Sequence, residues 1–122
     1  MTIYDAVGGS ATFERLVEAF YAGVADDPLL RPLYPEDLTG PRRHLTLFLI
    51  QYFGGPQTYS EERGHPQLRM RHQPFAIGPA ERDAWLRHMA AALDTLELPA
   101  LAKEQLRGYF TGAANFLINQ PA

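Results

Sequence analysis

Along the first third of the chain, Phe13, Leu16, Val17, Phe20, Tyr21 and Val24 recur at steps of three and four, with Glu14, Arg15 and Glu18 between them. That spacing predicts a helix with one apolar face. Gly8-Gly9 turns into it, Ser10 is its expected N-cap, and Asp26-Asp27-Pro28 stops it. Pro28, Pro32 and Pro35 then leave room for only a turn or two of helix around Leu29-Leu30-Arg31. A second helix is expected from Thr39-Gly40-Pro41 to Phe53. It is apolar almost all round from Leu45 to Phe53, so neighbours must cover more than one of its sides. Gly54-Gly55-Pro56 ends it.

Residues 56–78 are punctuated by Pro56, Gly64, Pro66, Pro74 and Gly78, and only a short helix near Gln67–His72 fits there. Long irregular connections in a small domain are often functional. Gly78-Pro79 starts a third long helix, with Glu81 and Asp83 placed for its dipole and Trp85, Leu86, Met89, Leu93 and Leu96 on its inner face. Leu98-Pro99 breaks it. A fourth helix follows, with Leu101, Leu106, Tyr109, Phe110, Ala113, Phe116 and Leu117 as its apolar set. Val and Ile total seven while Ala and Leu number sixteen each, which favours helix over strand. The expectation is one all-α domain over residues 1–122.

Composition narrows the function. The chain has 122 residues and no Cys, which removes disulfides, thiolate metal sites and cysteine nucleophiles. A net charge of −3 argues against a dedicated nucleic-acid binder. No apolar run reaches the ~20 residues of a membrane span, and the N-terminus lacks the features of a signal peptide, so a cytoplasmic location is expected. HExxH, GxSxG and P-loop motifs do not occur. Glu62 and His65 have a di-iron spacing, but the second copy is missing and Gly64 and Pro66 flank His65.

The informative stretch runs from Gly64 to Phe75. His72 ends the short helix just before Pro74, Leu68 lies four residues back on the same face, and Phe75 follows. Arg63, Arg69 and Arg71 cluster nearby. An imidazole beside apolar cover and guanidinium groups suits a planar apolar cofactor bearing carboxylates, and haem is such a cofactor, its iron taking an axial His.

Several segments carry a resemblance to a known family. They are Tyr4-Asp5-Ala6-Val7-Gly8-Gly9, Phe20-Tyr21, Leu33-Tyr34-Pro35-Glu36-Asp37-Leu38, Gln51-Tyr52-Phe53-Gly54-Gly55-Pro56, Tyr59-Ser60-Glu61, Gly64-His65-Pro66 through Arg71-His72, and Glu81-Arg82-Asp83-Ala84-Trp85-Leu86. In this order and spacing the chain resembles the truncated haemoglobins, and among them the second group. The resemblance implies a two-over-two helical sandwich around haem b (iron protoporphyrin IX). The helices near 10–25 and 41–53 would form one pair and the two C-terminal helices the other. His72 matches the proximal iron ligand; Tyr21, Tyr34 and Trp85 match distal-pocket residues that meet the ligand. Leu45 falls on the distal wall. Four residues before it stands Pro41, where other globins carry a distal His and this family usually a small residue. His44 is expected to face solvent or a propionate. Phe48, Leu68, Phe75 and Met89 are expected to line the haem, and Arg71, then Arg63 and Tyr59, to meet its propionates.

Dioxygen on ferrous iron gains partial negative charge, which neutral phenol and indole donors stabilise without titrating near pH 7. The expected function is therefore binding of dioxygen and other diatomics at a pentacoordinate iron, with peroxide or nitric-oxide chemistry open. A haem-based sensor or electron-transfer protein acting through a separate partner is the alternative, and a cofactor-free helical interaction module the third reading. A reductase is a candidate partner, and the chain is expected as a monomer or homodimer.

Overall fold

The computed structural model describes residues 2–121. Seven α-helices occur among them: α1 (Ile3–Ala6), α2 (Ser10–Ala25), α3 (Thr39–Tyr52), α4 (Thr58–Arg63), α5 (Leu68–His72), α6 (Pro79–Asp94) and α7 (Ala100–Phe116). A short 3-10 helix, Arg31–Leu33, lies between α2 and α3, and no strand is present among the described residues. α2 packs on α3 in one layer, α6 on α7 in the other, and α2 crosses onto α6 to join them. This is the all-α two-over-two sandwich that the apolar patterns and the resemblance led one to expect.

The α2 stripe supplies the centre of the core. Phe13, Leu16, Val17, Phe20 and Val24 are all buried, and Leu49, Met89, Leu93, Leu106 and Phe110 meet them from the other helices. Phe13 stacks between Tyr4 and Phe53, at ring-centroid distances of 6.2 and 5.8 Å. Truncating a Phe so placed typically costs about 3–5 kcal/mol. After α3 the chain turns through Gly54 at φ +105°, and a Cβ on Gly55 would stand 2.7 Å from Ile50 and Tyr4. Only glycine allows that turn and that approach, which let α1 lie against the end of α3 through Tyr4 N–H to the Phe53 carbonyl at 2.9 Å.

Some local expectations are corrected. Ser10 is the first residue of α2 rather than its cap; Gly9 occupies the cap, and the Ser10 hydroxyl bonds the Tyr4 hydroxyl at 2.7 Å. α6 ends at Asp94, ahead of Leu96. On α7, Leu101 and Phe116 are exposed, while Ala102 and Ala114 are buried. α4 was not anticipated. Its Ser-, Thr- and Glu-rich sequence has little apolar pattern, and tertiary contacts hold it. The Gln51 side chain accepts from Ser60 N–H at 2.9 Å and donates to the Ser60 hydroxyl at 2.7 Å. Tyr59 is buried edge-on against Phe48 at 5.6 Å.

Candidate cofactor site

A cavity of about 380 Å³ opens between the two layers, within the roughly 300–1,000 Å³ range of small-molecule sites. Of the residues expected there, Tyr21, Tyr34, Leu45, Phe48, Tyr59, Arg63, Leu68, Arg71, His72, Phe75 and Trp85 all line it. Met89 does not: it is buried in the core between the helices. It sits one turn beyond Trp85, where α6 has passed the cavity and meets the core instead. Pro41 and His44 also line the cavity.

His72 closes α5, and its Nδ1 lies 2.6 Å from the Leu68 carbonyl. A carbonyl only accepts, so Nδ1 carries a proton, and the neutral ring then keeps its lone pair on Nε2, the tautomer a metal-binding imidazole needs. α5 starts from Gln67 in the left-handed region, at φ +46°. A non-glycine residue there stores strain of order 1–2 kcal/mol. Arg71 holds the turn: Nε donates to the Pro66 carbonyl at 2.8 Å and Nη2 to the Arg63 carbonyl at 2.9 Å. Its guanidinium is thus largely committed to backbone, with Nη1 remaining. Arg63 Nη1 donates to His44 Nε2 at 2.8 Å, so His44 is neutral. Burial, then the charges of Arg63, Arg43 and Arg71, hold the His44 pKa below its ordinary value, with Glu62 opposing them. His44 therefore sits, half-buried, on this basic rim.

The opposite wall is aromatic. Tyr21 meets Tyr34 edge-on at 5.4 Å, and Trp85 is fixed between Phe20 at 5.2 Å and Phe110 at 5.8 Å. Burial raises the Tyr34 phenol to about 12, while hydrogen bonding with Trp85 and Tyr21 pulls the other way. Tyr21 is raised by burial first, then by the Tyr34 charge and hydrogen bond. Indole N–H only donates. The Tyr21 and Tyr34 phenols and the Trp85 indole thus share one wall of the cavity, each carrying a neutral N–H or O–H.

Sequence reasoning missed Leu30, Leu33, Pro35, Ile77, Glu81, Arg82, Ala114 and Leu117, which complete the lining. Leu30 and Leu33 have a helical spacing hidden by the surrounding prolines. Glu81 faces the cavity while its carboxylate accepts from Gly78 N–H at 2.8 Å, the capping role its position announces. Among the described residues no three His, Cys, Asp or Glu side chains converge on a metal position, and no helix is long and apolar enough to cross a membrane. With the His44 lone pair taken by Arg63, the His72 lone pair in an apolar slot with a basic rim fits haem, whose iron takes an axial His.

Comparisons with known proteins agree with this geometry. The bacterial-like globin family matches residues 2–119. The chain is 44% identical over 117 residues to group 2 truncated hemoglobin YjbI of Bacillus subtilis, covering 96% of this chain and 88% of that one. A thermostable hemoglobin from the actinobacterium Thermobifida fusca superposes with a TM-score of 0.97 at 58% identity, over 100% of both chains. The group II truncated hemoglobin of Bacillus anthracis gives 0.96 at 41% identity, over 100% of this chain and 94% of that one. With the two-over-two fold, the His72 imidazole in the cavity and these relatives together, the chain belongs to the group II truncated haemoglobins, globins whose general function is binding haem and dioxygen.

Proposed function

We propose that this chain holds one haem b through His72 as the only protein ligand to iron, and binds dioxygen and other diatomics on the Tyr34 side. The observation that carries the reading is the His72 Nδ1 bond to the Leu68 carbonyl, which fixes the ring with Nε2 free toward the cavity's ligand. Bound haem supplies an iron with an open coordination position for a diatomic ligand. Leu45, Phe48, Leu68 and Phe75 supply apolar cover that excludes water. Arg63, His44 and the free Nη1 of Arg71 face the propionates, with Tyr59 beside Arg63, whose Cζ lies 5.9 Å from the Tyr59 ring centre. Pro41 stands where an imidazole would cap the ligand and His44 is engaged by Arg63, so the Tyr34 hydroxyl donates to the ligand with Tyr21 and Trp85 on the same wall.

Three neutral donors held by a packed wall favour long retention of a partly negative ligand. That argues for ligand chemistry, with a separate reductase keeping iron ferrous, rather than bulk oxygen delivery. The test is an absorption spectrum of the reconstituted protein in ferric, ferrous, oxygen and carbon-monoxide states. One haem per chain and a five-coordinate ferrous spectrum are expected. Failure to bind haem would leave a helical interaction module; a six-coordinate ferrous spectrum without added ligand would overturn the single-ligand arrangement.

A further inference from the structure

We propose that Asn119, on the tail beyond α7, is a positioning residue for His72: it clasps the irregular segment that follows α5 and so holds the imidazole's backbone in place. The proposal rests on His72 as the haem ligand. The Asn119 Oδ1 accepts from Ile77 N–H at 2.9 Å. Its Nδ2 donates to the Phe75 carbonyl at 2.8 Å and to the His72 carbonyl at 3.3 Å. Its backbone N–H donates to the Ile77 carbonyl at 2.8 Å, and Gln120 N–H adds a bond to that same oxygen at 3.1 Å. One residue thereby grips backbone groups of His72, Phe75 and Ile77, whose side chains all line the cavity.

The chemistry requires this side chain. A primary amide offers a carbonyl acceptor and two N–H donors on one plane, and no other short side chain does. The segment needs the clasp because it has no helix of its own between α5 and α6. Only the Gln73 and Phe75 amides are tied back to α5, through the Met70 and His72 carbonyls. His72 is thus fixed twice: its ring by the Leu68 carbonyl on the preceding turn, its backbone carbonyl by Asn119 from 47 residues away. Each Asn119 side-chain bond is exposed and weak alone. Together they act as a chelate, since losing one does not release the others.

The experiment uses full-length holoprotein and apoprotein carrying Asn119→Ala or Asn119→Asp. Asn119→Ala should speed haem transfer to an excess of acceptor apoglobin by roughly fivefold or more. It should also shift or broaden the ferrous iron–histidine stretching band and speed Ile77 amide exchange in apoprotein. Asn119→Asp keeps an oxygen for Ile77 N–H but cannot donate to the His72 and Phe75 carbonyls. It should keep Ile77 protected yet lose haem as fast as Asn119→Ala, and it decides the matter if the alanine variant fails to fold. Wild-type haem loss with an unchanged stretching band in either variant overturns the positioning role. Unchanged Ile77 exchange in Asn119→Ala overturns the clasp itself. The premise fails separately, and the proposal with it, if His72→Ala keeps its haem and spectrum while Ile77 exchange still responds to Asn119.

Discussion

Tyr21, Leu45, Phe48 and Trp85 project from helices of 14 to 16 residues, whereas Tyr59, Arg63, Leu68, Arg71 and His72 ride on helices of six and five. The long helices bury their own apolar stripes against each other, and the Tyr34 wall is held by that burial. The His72 wall has no buried residue on α5 at all. It is stitched by side-chain bonds to backbone carbonyls: Arg71 to Pro66 and Arg63, His72 to Leu68, Asn119 to Phe75. Apolar burial persists whether or not the cavity is filled. These exposed or half-buried hydrogen bonds compete with water and contribute only about 1 kcal/mol each. One wall is therefore set by the core, while the other gains much of its order from what it binds.

The largest break in that contrast comes from His72. His72→Ala should lose most of its haem on gel filtration while keeping its helical circular dichroism, because α5 adds little to the core. His65→Ala and His44→Ala should retain haem. If His72→Ala keeps full haem and an unchanged spectrum, and either of the other two loses it, the ligand is misassigned.

Next in size is the effect of haem on amide exchange. In apoprotein, residues 56–78 should exchange quickly and the buried turns of α2, α3 and α6 slowly; haem should slow the former and leave the latter little changed. Equal protection of 56–78 in both states would mean that the stitched bonds suffice alone.

The donor wall gives a smaller, more selective effect. Trp85→Phe and Tyr21→Phe each remove one donor from the cavity wall and keep an aromatic ring; Tyr34→Phe removes its hydroxyl. Removing a buried donor costs about 1–3 kcal/mol, roughly five- to 150-fold if it falls wholly on release. Stopped-flow should show faster oxygen dissociation in all three, more so than for carbon monoxide, with Tyr34→Phe largest. The effects should not add, since the groups would share one bound ligand. Wild-type oxygen release in all three would make these rings packing only.

How legible each wall was follows from what holds it. The α2 and α3 stripes have helical spacing, so the elements carrying Tyr21, Leu45 and Phe48 could be read directly from the residues. α4 could not, because its helix depends on Gln51 reaching Ser60 and on Tyr59 finding Phe48, contacts that exist only after folding. His72 stood out through its neighbours, yet its hold on Leu68 and the clasp from Asn119 leave no local pattern. Met89 misled for the opposite reason. A core residue and a lining residue on the same helix share one periodicity, and only the depth of the cavity along α6 separates them.

The smallest effect lies where the two walls meet the basic rim. Arg63 donates to His44 Nε2, so the folded apoprotein holds His44 neutral, and its pKa falls below the ordinary 6.5 through burial and then Arg63, Arg43 and Arg71. In the unfolded chain those influences vanish and His44 takes a proton first as pH drops. The unfolded state then binds more protons than the folded state, so stability falls as pH is lowered from about 6.5 toward the folded pKa, and is flat above that window. The informative quantity is a difference between variants: Tm of apo wild type between pH 8 and 5 should fall more than that of His44→Gln. Salt should shrink the part of the difference due to the arginines and leave the part due to burial. Haem should reverse it, because a propionate beside His44 would favour the imidazolium and pair with Arg63. Parallel Tm profiles for wild type and His44→Gln in apoprotein would show that the Arg63–His44 contact does not govern the ring's charge. A difference that haem leaves untouched would place the propionates away from this rim.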